Sequence, residues 1–124
     1  KPNFVNRIDK FADKKKSVNV EEMEKIYINT NFAPCPAGFF HPESYRIYEA
    51  LQCGTIPIVE SVYNYFDSIY PNNPLIKINK WKEAKEIIDN WNHDQILNKR
   101  KECFNWWNQY LLDHKNFVRE KIKE

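Results

Sequence analysis

The spacing of hydrophobic positions alternates between helical and strand patterns, which predicts an α/β fold. Residues 20–28 start with acidic positions, as the first turn of a helix favours, and carry an apolar face. Residues 31–35 form a short, partly apolar segment that precedes a proline, which indicates a buried strand. A helix is predicted from about Pro42 to Cys53, because proline is favourable at the first helical position and a glycine follows the last turn. Its inward stripe has three members: Ile47, Ala50 and Leu51.

The second half of the chain continues the same alternation. Residues 55–59 are mostly β-branched and apolar, which suits a parallel strand covered on both faces. Pro57 cannot donate to the ladder, so we expect it near the start of the strand or at a bulge. The remaining predicted elements are a helix at 62–69, a strand at 75–78, a helix at 81–91 and a long helix from about 94 to 114 or to the chain end. This order predicts a Rossmann-like parallel sheet with flanking helices and a long helical C-terminal tail.

The first 18 residues carry a weaker helical pattern. Its apolar residues are spaced like one face of a short helix: Phe4, Val5, Ile8 and Phe11. A proline before them and a run of three lysines after them limit the length of this helix.

Composition indicates a globular chain of 124 residues, and these fit a single domain, complete or incomplete, over 1–124. A net charge of +2 gives no broad field for a nucleic-acid partner, and no apolar run reaches the length of a membrane span. The chain begins at Lys1, as expected of a piece of a longer protein. The compartment therefore stays open: cytoplasmic for a bacterial or viral source, the Golgi lumen for a eukaryotic one.

The cysteines and histidines do not predict a metal site or a disulfide framework. Three Cys and three His occur, without CxxC or HxxxH spacing.

The candidate chemistry lies where the first predicted strand leads through a glycine loop into a helix N-terminus. Ligands of parallel α/β sheets bind beyond the carboxyl ends of the strands, and helix N-termini favour phosphates. Ser44, Arg46 and Glu49 follow the loop, and the last two share one helix face. Arginine can bind phosphate oxygens with two donors, and a carboxylate can accept both hydroxyls of a ribose. The alternative is a plain surface ion pair worth less than about 1 kcal/mol.

The same stretch resembles a known family through three spaced motifs. They are Cys-Pro-x-Gly at 35–38, Ser-x-Arg-x-x-Glu-Ala at 44–50 and Gly-x-x-Pro at 54–57. Together they resemble the donor-binding segment of GT-B glycosyltransferases, most closely the exostosin-like group. The resemblance implies the C-terminal half of a GT-B enzyme, which works with a missing N-terminal domain and transfers sugar from a UDP- or GDP-sugar to a glycan or similar acceptor. It implies neither a metal nor another cofactor.

The resemblance also implies roles for individual residues. Glu49 would hold the ribose hydroxyls, and Arg46 and Ser44 would meet the diphosphate or the sugar. Gly38 would let the loop approach the donor, and His41 in the same loop would contact the sugar or the phosphate. The catalytic residues stay unassigned, since the base of inverting members usually comes from the first domain. Many retaining members carry a second glutamate seven residues before the ribose glutamate; here that position is a proline, which places a retaining mechanism of that type in doubt.

Two other readings stay open. One is a non-enzymatic α/β module that binds a nucleotide or a protein, and the other is a hydrolase with Cys35 or Cys53 as nucleophile. Trp106 lies off the main apolar stripe of the last helix, so we predict that it packs against a missing domain or another copy of the chain.

Overall fold

A three-stranded parallel sheet with helices on both faces forms the domain. The computed structural model describes residues 19–38 and 41–123, so the short helix predicted around residues 4–11 lies outside the described residues. The elements are α1 (Val20–Ile28), β1 (Phe32–Cys35), α2 (Tyr45–Gln52), β2 (Ile56–Glu60), α3 (Tyr65–Ile69), β3 (Ile76–Ile78), α4 (Trp81–Asn90) and α5 (His93–Lys123). The predicted α/β class, the parallel sheet, the flanking helices and the long C-terminal helix are all confirmed.

β2 is the central strand, and its first four residues are buried. It pairs with β1 from Ile56 onward but with β3 only from Ile58 onward. The N–H of Ile56 donates toward β1. Because successive N–H groups of a strand point to opposite edges, an N–H at position 57 would point toward β3, and Pro57 has none. At that point β3 has not begun to pair. Pro57 therefore lies near the strand start, as predicted, without removing a bond from the β2–β3 ladder.

α4 covers one face of the sheet. The ring of Trp91, just after α4, packs edge-on against Phe32 with centroids 5.8 Å apart. At the other end of α4, the indole of Trp81 donates to the carboxylate of Glu60 at 2.7 Å. Phe32 and Glu60 project to the same face, because Phe32 pairs with Ile56 and side chains alternate along a strand. α4 therefore crosses the sheet from the end of β2 to the start of β1.

α2 and α3 belong to the opposite face. Lys77 of β3 projects away from the α4 face and forms an ion pair with Asp67 of α3 at 3.1 Å. α2 packs against both β1 and β2, and its predicted inward stripe is fully buried: Ile47, Ala50 and Leu51.

Two helices start three residues later than predicted. Pro42 is not the first helical residue of α2, because Ser44 is the extended N-cap and the helix starts at Tyr45. α3 starts at Tyr65 rather than at residue 62, because Tyr63 and Asn64 have positive φ angles of 48° and 57°. A left-handed backbone at these two positions cannot continue a right-handed helix.

α5 is held at the N-terminal edge of the sheet by Arg100. Its guanidinium donates to the carbonyl of Gly54 at 2.8 Å, to the side chain of Asn31 at 3.1 Å and to the carbonyl of Ile28 at 3.3 Å. One side chain thus joins α5 to the chain segments that precede β1 and β2. From residue 111 onward the described part of α5 is exposed.

α5 buries few of its apolar side chains. Cys103 and Trp107 are buried, whereas Phe104 and Leu111 are 48% and 41% exposed. Trp107 packs on Tyr48 of α2 with ring centroids 5.6 Å apart, and the partly buried Ile96, Trp106 and Tyr110 also pack against the core.

Trp106 packs within this domain, although it is not fully buried. Its indole stacks on Tyr110, meets Tyr70 edge-on at 5.9 Å and donates to the carbonyl of Pro71 at 3.2 Å. Contact of its exposed part with another domain or copy stays a prediction.

Replacing Arg100 with methionine should lower the free energy of unfolding by about 1–3 kcal/mol, because it removes charge-assisted hydrogen bonds but keeps the aliphatic stem. Urea denaturation measures this as a lower midpoint at an unchanged slope. Lys101→Met, at the exposed neighbouring position, is the matched control. Equal midpoints for the two variants would show that Arg100 does not hold α5 to the sheet.

Candidate functional site

The candidate site is formed by the end of β1, the loop after it and the first turns of α2. β1 ends at Cys35, and α2 runs from Tyr45 with Ser44 as its N-cap. This is the carboxyl edge of the sheet, where parallel α/β folds bind ligands. The five residues that the sequence singles out lie in this one segment: Gly38, His41, Ser44, Arg46 and Glu49.

Gly38 is required by the loop itself. A Cβ at this position would lie 2.7 Å from the carbonyl oxygen of Glu43 and 2.9 Å from that of His41. Both contacts are with backbone, which cannot swing aside as a side chain can. The glycine therefore lets the outgoing and returning parts of the loop come into contact, and the exposed His41 lies in the returning part.

Ser44 caps α2 without using its hydroxyl. Its backbone is extended, with φ −141° and ψ 163°, and its side chain accepts no bond from the first helical turn. The Oγ atom is buried and has no hydrogen-bond partner among the described residues. Buried hydroxyls are normally paired, so the described residues leave this oxygen without the partner that such a group usually has.

Arg46 and Glu49 are both exposed and project from the same face of α2. Neither an ion pair nor a hydrogen bond joins these two described side chains, so the plain surface ion pair is not formed. Both charges act on the buried thiol of Cys35 at the end of β1. Burial raises the pKa of that thiol to about 12, while Arg46 lowers it and Glu49 raises it. The guanidinium and the carboxylate thus lie close to the carboxyl end of β1.

Tyr27 of α1 connects to this group from the neighbouring helix. Its hydroxyl donates to the Oε2 atom of Glu49 at 3.3 Å. Burial and then the negative charge of Glu49 raise the pKa of Tyr27 well above its ordinary value, so the hydroxyl keeps its proton. The sequence placed Tyr27 only on an apolar helix face, because no local signal links two residues that are 22 positions apart.

A groove of about 600 Å³ opens beside this hydrogen bond, between α1, α2 and α5. Val20, Met23 and Tyr27 form its α1 side, Glu49 lies on its α2 side and Phe104 on its α5 side. Val20 is 74% exposed, and α1 buries none of its residues. The groove therefore combines apolar side chains with two carboxylates, those of Glu24 on α1 and Glu49 on α2.

The carboxylate of Glu43 is hydrogen-bonded by tyrosine side chains. Its carboxylate accepts from the hydroxyl of Tyr70 at 2.9 Å and from that of Tyr48, and these two hydroxyls also contact each other. Partial burial raises the pKa of Glu43, but hydrogen bonds from Tyr48, Tyr70 and Tyr65 outweigh it, so the pKa lies below its usual value. Glu43 is the carboxylate next to the position at which many retaining members carry a second glutamate. Its hydrogen bonds join α2 to the segment after α3.

Sequence reasoning missed this tyrosine cluster. The interval between Glu43 and Tyr48 is not a helical neighbour spacing, and Tyr70 follows a different helix. Only the packing of α2 beside α3 brings the three side chains together.

Within the described ranges, 19–38 and 41–123, no group of three or more His, Cys, Asp and Glu side chains is arranged to hold a metal ion. Among the helices of these ranges, none has both the length and the apolar character that a membrane crossing requires. All three thiols are free, and Cys35 and Cys103 are buried.

The cluster around Glu43 should make stability depend on pH. Because the folded pKa of Glu43 is lowered, its contribution is present above the unfolded pKa of about 4.3 and is lost as the pH falls through the folded value. Glu43→Gln should lower the free energy of unfolding at pH 7 by about 1–2 kcal/mol. The difference from the wild type should shrink at pH 3.

Denaturation in urea at both pH values measures this difference, and Glu86→Gln at an exposed position of α4 is the control. A loss of stability that is equal at the two pH values would show that the charge of Glu43 contributes nothing.

Comparison with known proteins places the chain in a family. A family profile described as the RXYLT1 C-terminal domain matches residues 2–124, which is almost the whole chain. No curated protein and no solved structure matches the chain significantly. The RXYLT1 family is an exostosin-like glycosyltransferase family, in agreement with the group that the sequence motifs resemble. The chain therefore belongs to the RXYLT1 C-terminal domain family of glycosyltransferases.

Proposed function

We propose that this chain is the donor-binding domain of a glycosyltransferase with GT-B architecture. It would hold a nucleotide-diphosphate sugar, a UDP- or GDP-sugar, for transfer to a glycan or similar acceptor. The observation that carries the proposal is the pair of exposed, opposite charges on one face of α2 that do not bind each other. Arg46 and Glu49 lie beside the carboxyl end of β1, and neither neutralises the other.

Each residue has a distinct task in this proposal. The carboxylate of Glu49 accepts the ribose hydroxyls, and the guanidinium of Arg46 donates to the diphosphate. The unpaired hydroxyl of Ser44 and the free N–H groups at the start of α2 add donors for the same phosphates. Gly38 keeps the loop compact, and His41 stands exposed at its edge.

These groups stabilise a leaving group rather than activate a nucleophile. When the bond between the sugar and the diphosphate breaks, negative charge grows on the diphosphate. A fixed guanidinium and the N-terminal end of a helix stabilise that charge without further reorganisation. The catalytic base and the acceptor contacts would come from an N-terminal domain that faces this one across a cleft.

Calorimetry of the intact protein with UDP and GDP tests the proposal. One of the two nucleotides should bind, and both Glu49→Ala and Arg46→Ala should weaken that binding about tenfold or more, because each removes a charge-assisted hydrogen bond. Glu86→Ala and Lys82→Ala are the matched controls, since both residues are exposed on α4 at the opposite face of the sheet.

Three outcomes are informative. Binding that is lost in the α2 variants and kept in the α4 variants supports donor binding by this domain. Binding that all four variants keep would place the nucleotide elsewhere in the protein. No binding of either nucleotide to the intact protein would contradict the donor-binding role.

A further inference from the structure

We propose that Tyr27 is a positioning residue that holds the Glu49 carboxylate ready for the ribose hydroxyls of the donor. This inference rests on the proposed function, because it assigns Tyr27 a role that it exerts through Glu49. The two residues lie on different helices, and the hydroxyl of Tyr27 donates to Oε2 of Glu49 at 3.3 Å.

Glu49 needs such a partner because its own helix does not hold it. The residue is exposed, and a free glutamate side chain samples many rotamers whose loss on binding costs conformational entropy. A donor from a neighbouring element narrows this freedom before the ligand arrives. Ligands bind more tightly to a side chain that is already ordered, because less conformational entropy is lost in the complex.

Tyr27 is itself anchored to the sheet. Its backbone carbonyl accepts a hydrogen bond from the hydroxyl of Thr55, which is fully buried at the start of β2. The next carbonyl, that of Ile28, accepts from Arg100 at 3.3 Å. The C-terminal end of α1 is thus fixed to the strand edge, and the Tyr27 ring reaches across from this fixed point to α2.

The bond leaves acceptor capacity for a ligand. Tyr27 occupies Oε2, and Oε1 of Glu49 has no hydrogen-bond partner among the described residues. An ionised carboxylate offers about four acceptor positions on its two oxygens. One position can therefore take the tyrosine hydroxyl while two others take a pair of vicinal hydroxyls.

The test compares UDP, or GDP if that is the nucleotide bound, with its 2′,3′-dideoxy analogue by calorimetry of the intact protein. The analogue lacks the hydroxyls that Glu49 accepts. Tyr27→Phe removes only the phenolic oxygen and should weaken binding of the ribonucleotide about two- to tenfold. Binding of the dideoxy analogue should not change. In a Glu49→Ala background, Tyr27→Phe should have no further effect on either ligand.

Tyr63→Phe is the matched control, because Tyr63 is 99% exposed between β2 and α3, outside the proposed site. If Tyr27→Phe lowered the affinity for the ribonucleotide and for its dideoxy analogue equally, the role of Tyr27 would be merely structural and the inference would be overturned. Unchanged affinity for the ribonucleotide would overturn it as well. The proposed function fails separately, if Glu49→Ala keeps the wild-type preference for the ribonucleotide over its dideoxy analogue.

Discussion

The burial of β2 is the constraint on which the rest of the structure depends. Four consecutive residues from Ile56 to Val59 are inaccessible to solvent, so both faces and both edges of this strand must be covered. Parallel neighbours supply the backbone partners at the edges, and helices supply the two faces. The covering helices are consequently fixed in position, and the loop between β1 and α2 returns to the sheet at its carboxyl edge.

That arrangement separates two roles on α2. Its inner face is packed, while its outer face is free to present charges beside the end of β1. The carboxylate of Glu43, just before the helix, accepts hydrogen bonds from tyrosines of two segments, whereas the side chains of Arg46 and Glu49 are exposed. Carboxylates six residues apart thus differ in role because of their surroundings: one stabilises the fold, and the other is available to a ligand.

Much of the fold could be predicted from the sequence, because strand and helix periodicities are local. The three strands and the stripe of α2 were predicted from apolar spacing alone, and Pro57 was placed near a strand start by its missing donor. The late starts of α2 and α3 could not be predicted in this way, since backbone angles at Ser44, Tyr63 and Asn64 depend on how the loops close. The candidate residues of the site lie in one stretch from Gly38 to Glu49, so the sequence singles them out together. Tyr27 was missed because its contact with Glu49 forms only after two helices pack.

The attachment of α1 has a dynamic consequence. Its C-terminal end is held through the carbonyls of Tyr27 and Ile28, whereas Val20 at its N-terminal end is exposed and no residue of the helix is buried. Local opening costs least where few buried contacts must be broken. The first turn has an N-cap, since the Asn19 side chain accepts from the Glu22 N–H at 2.8 Å, but the C-terminal end has additional bonds from Thr55 and Arg100. Fraying that begins in the first turn should therefore make its amide hydrogens exchange faster than those near Tyr27. The groove can change its width by this motion while the carboxylate of Glu49 keeps its place.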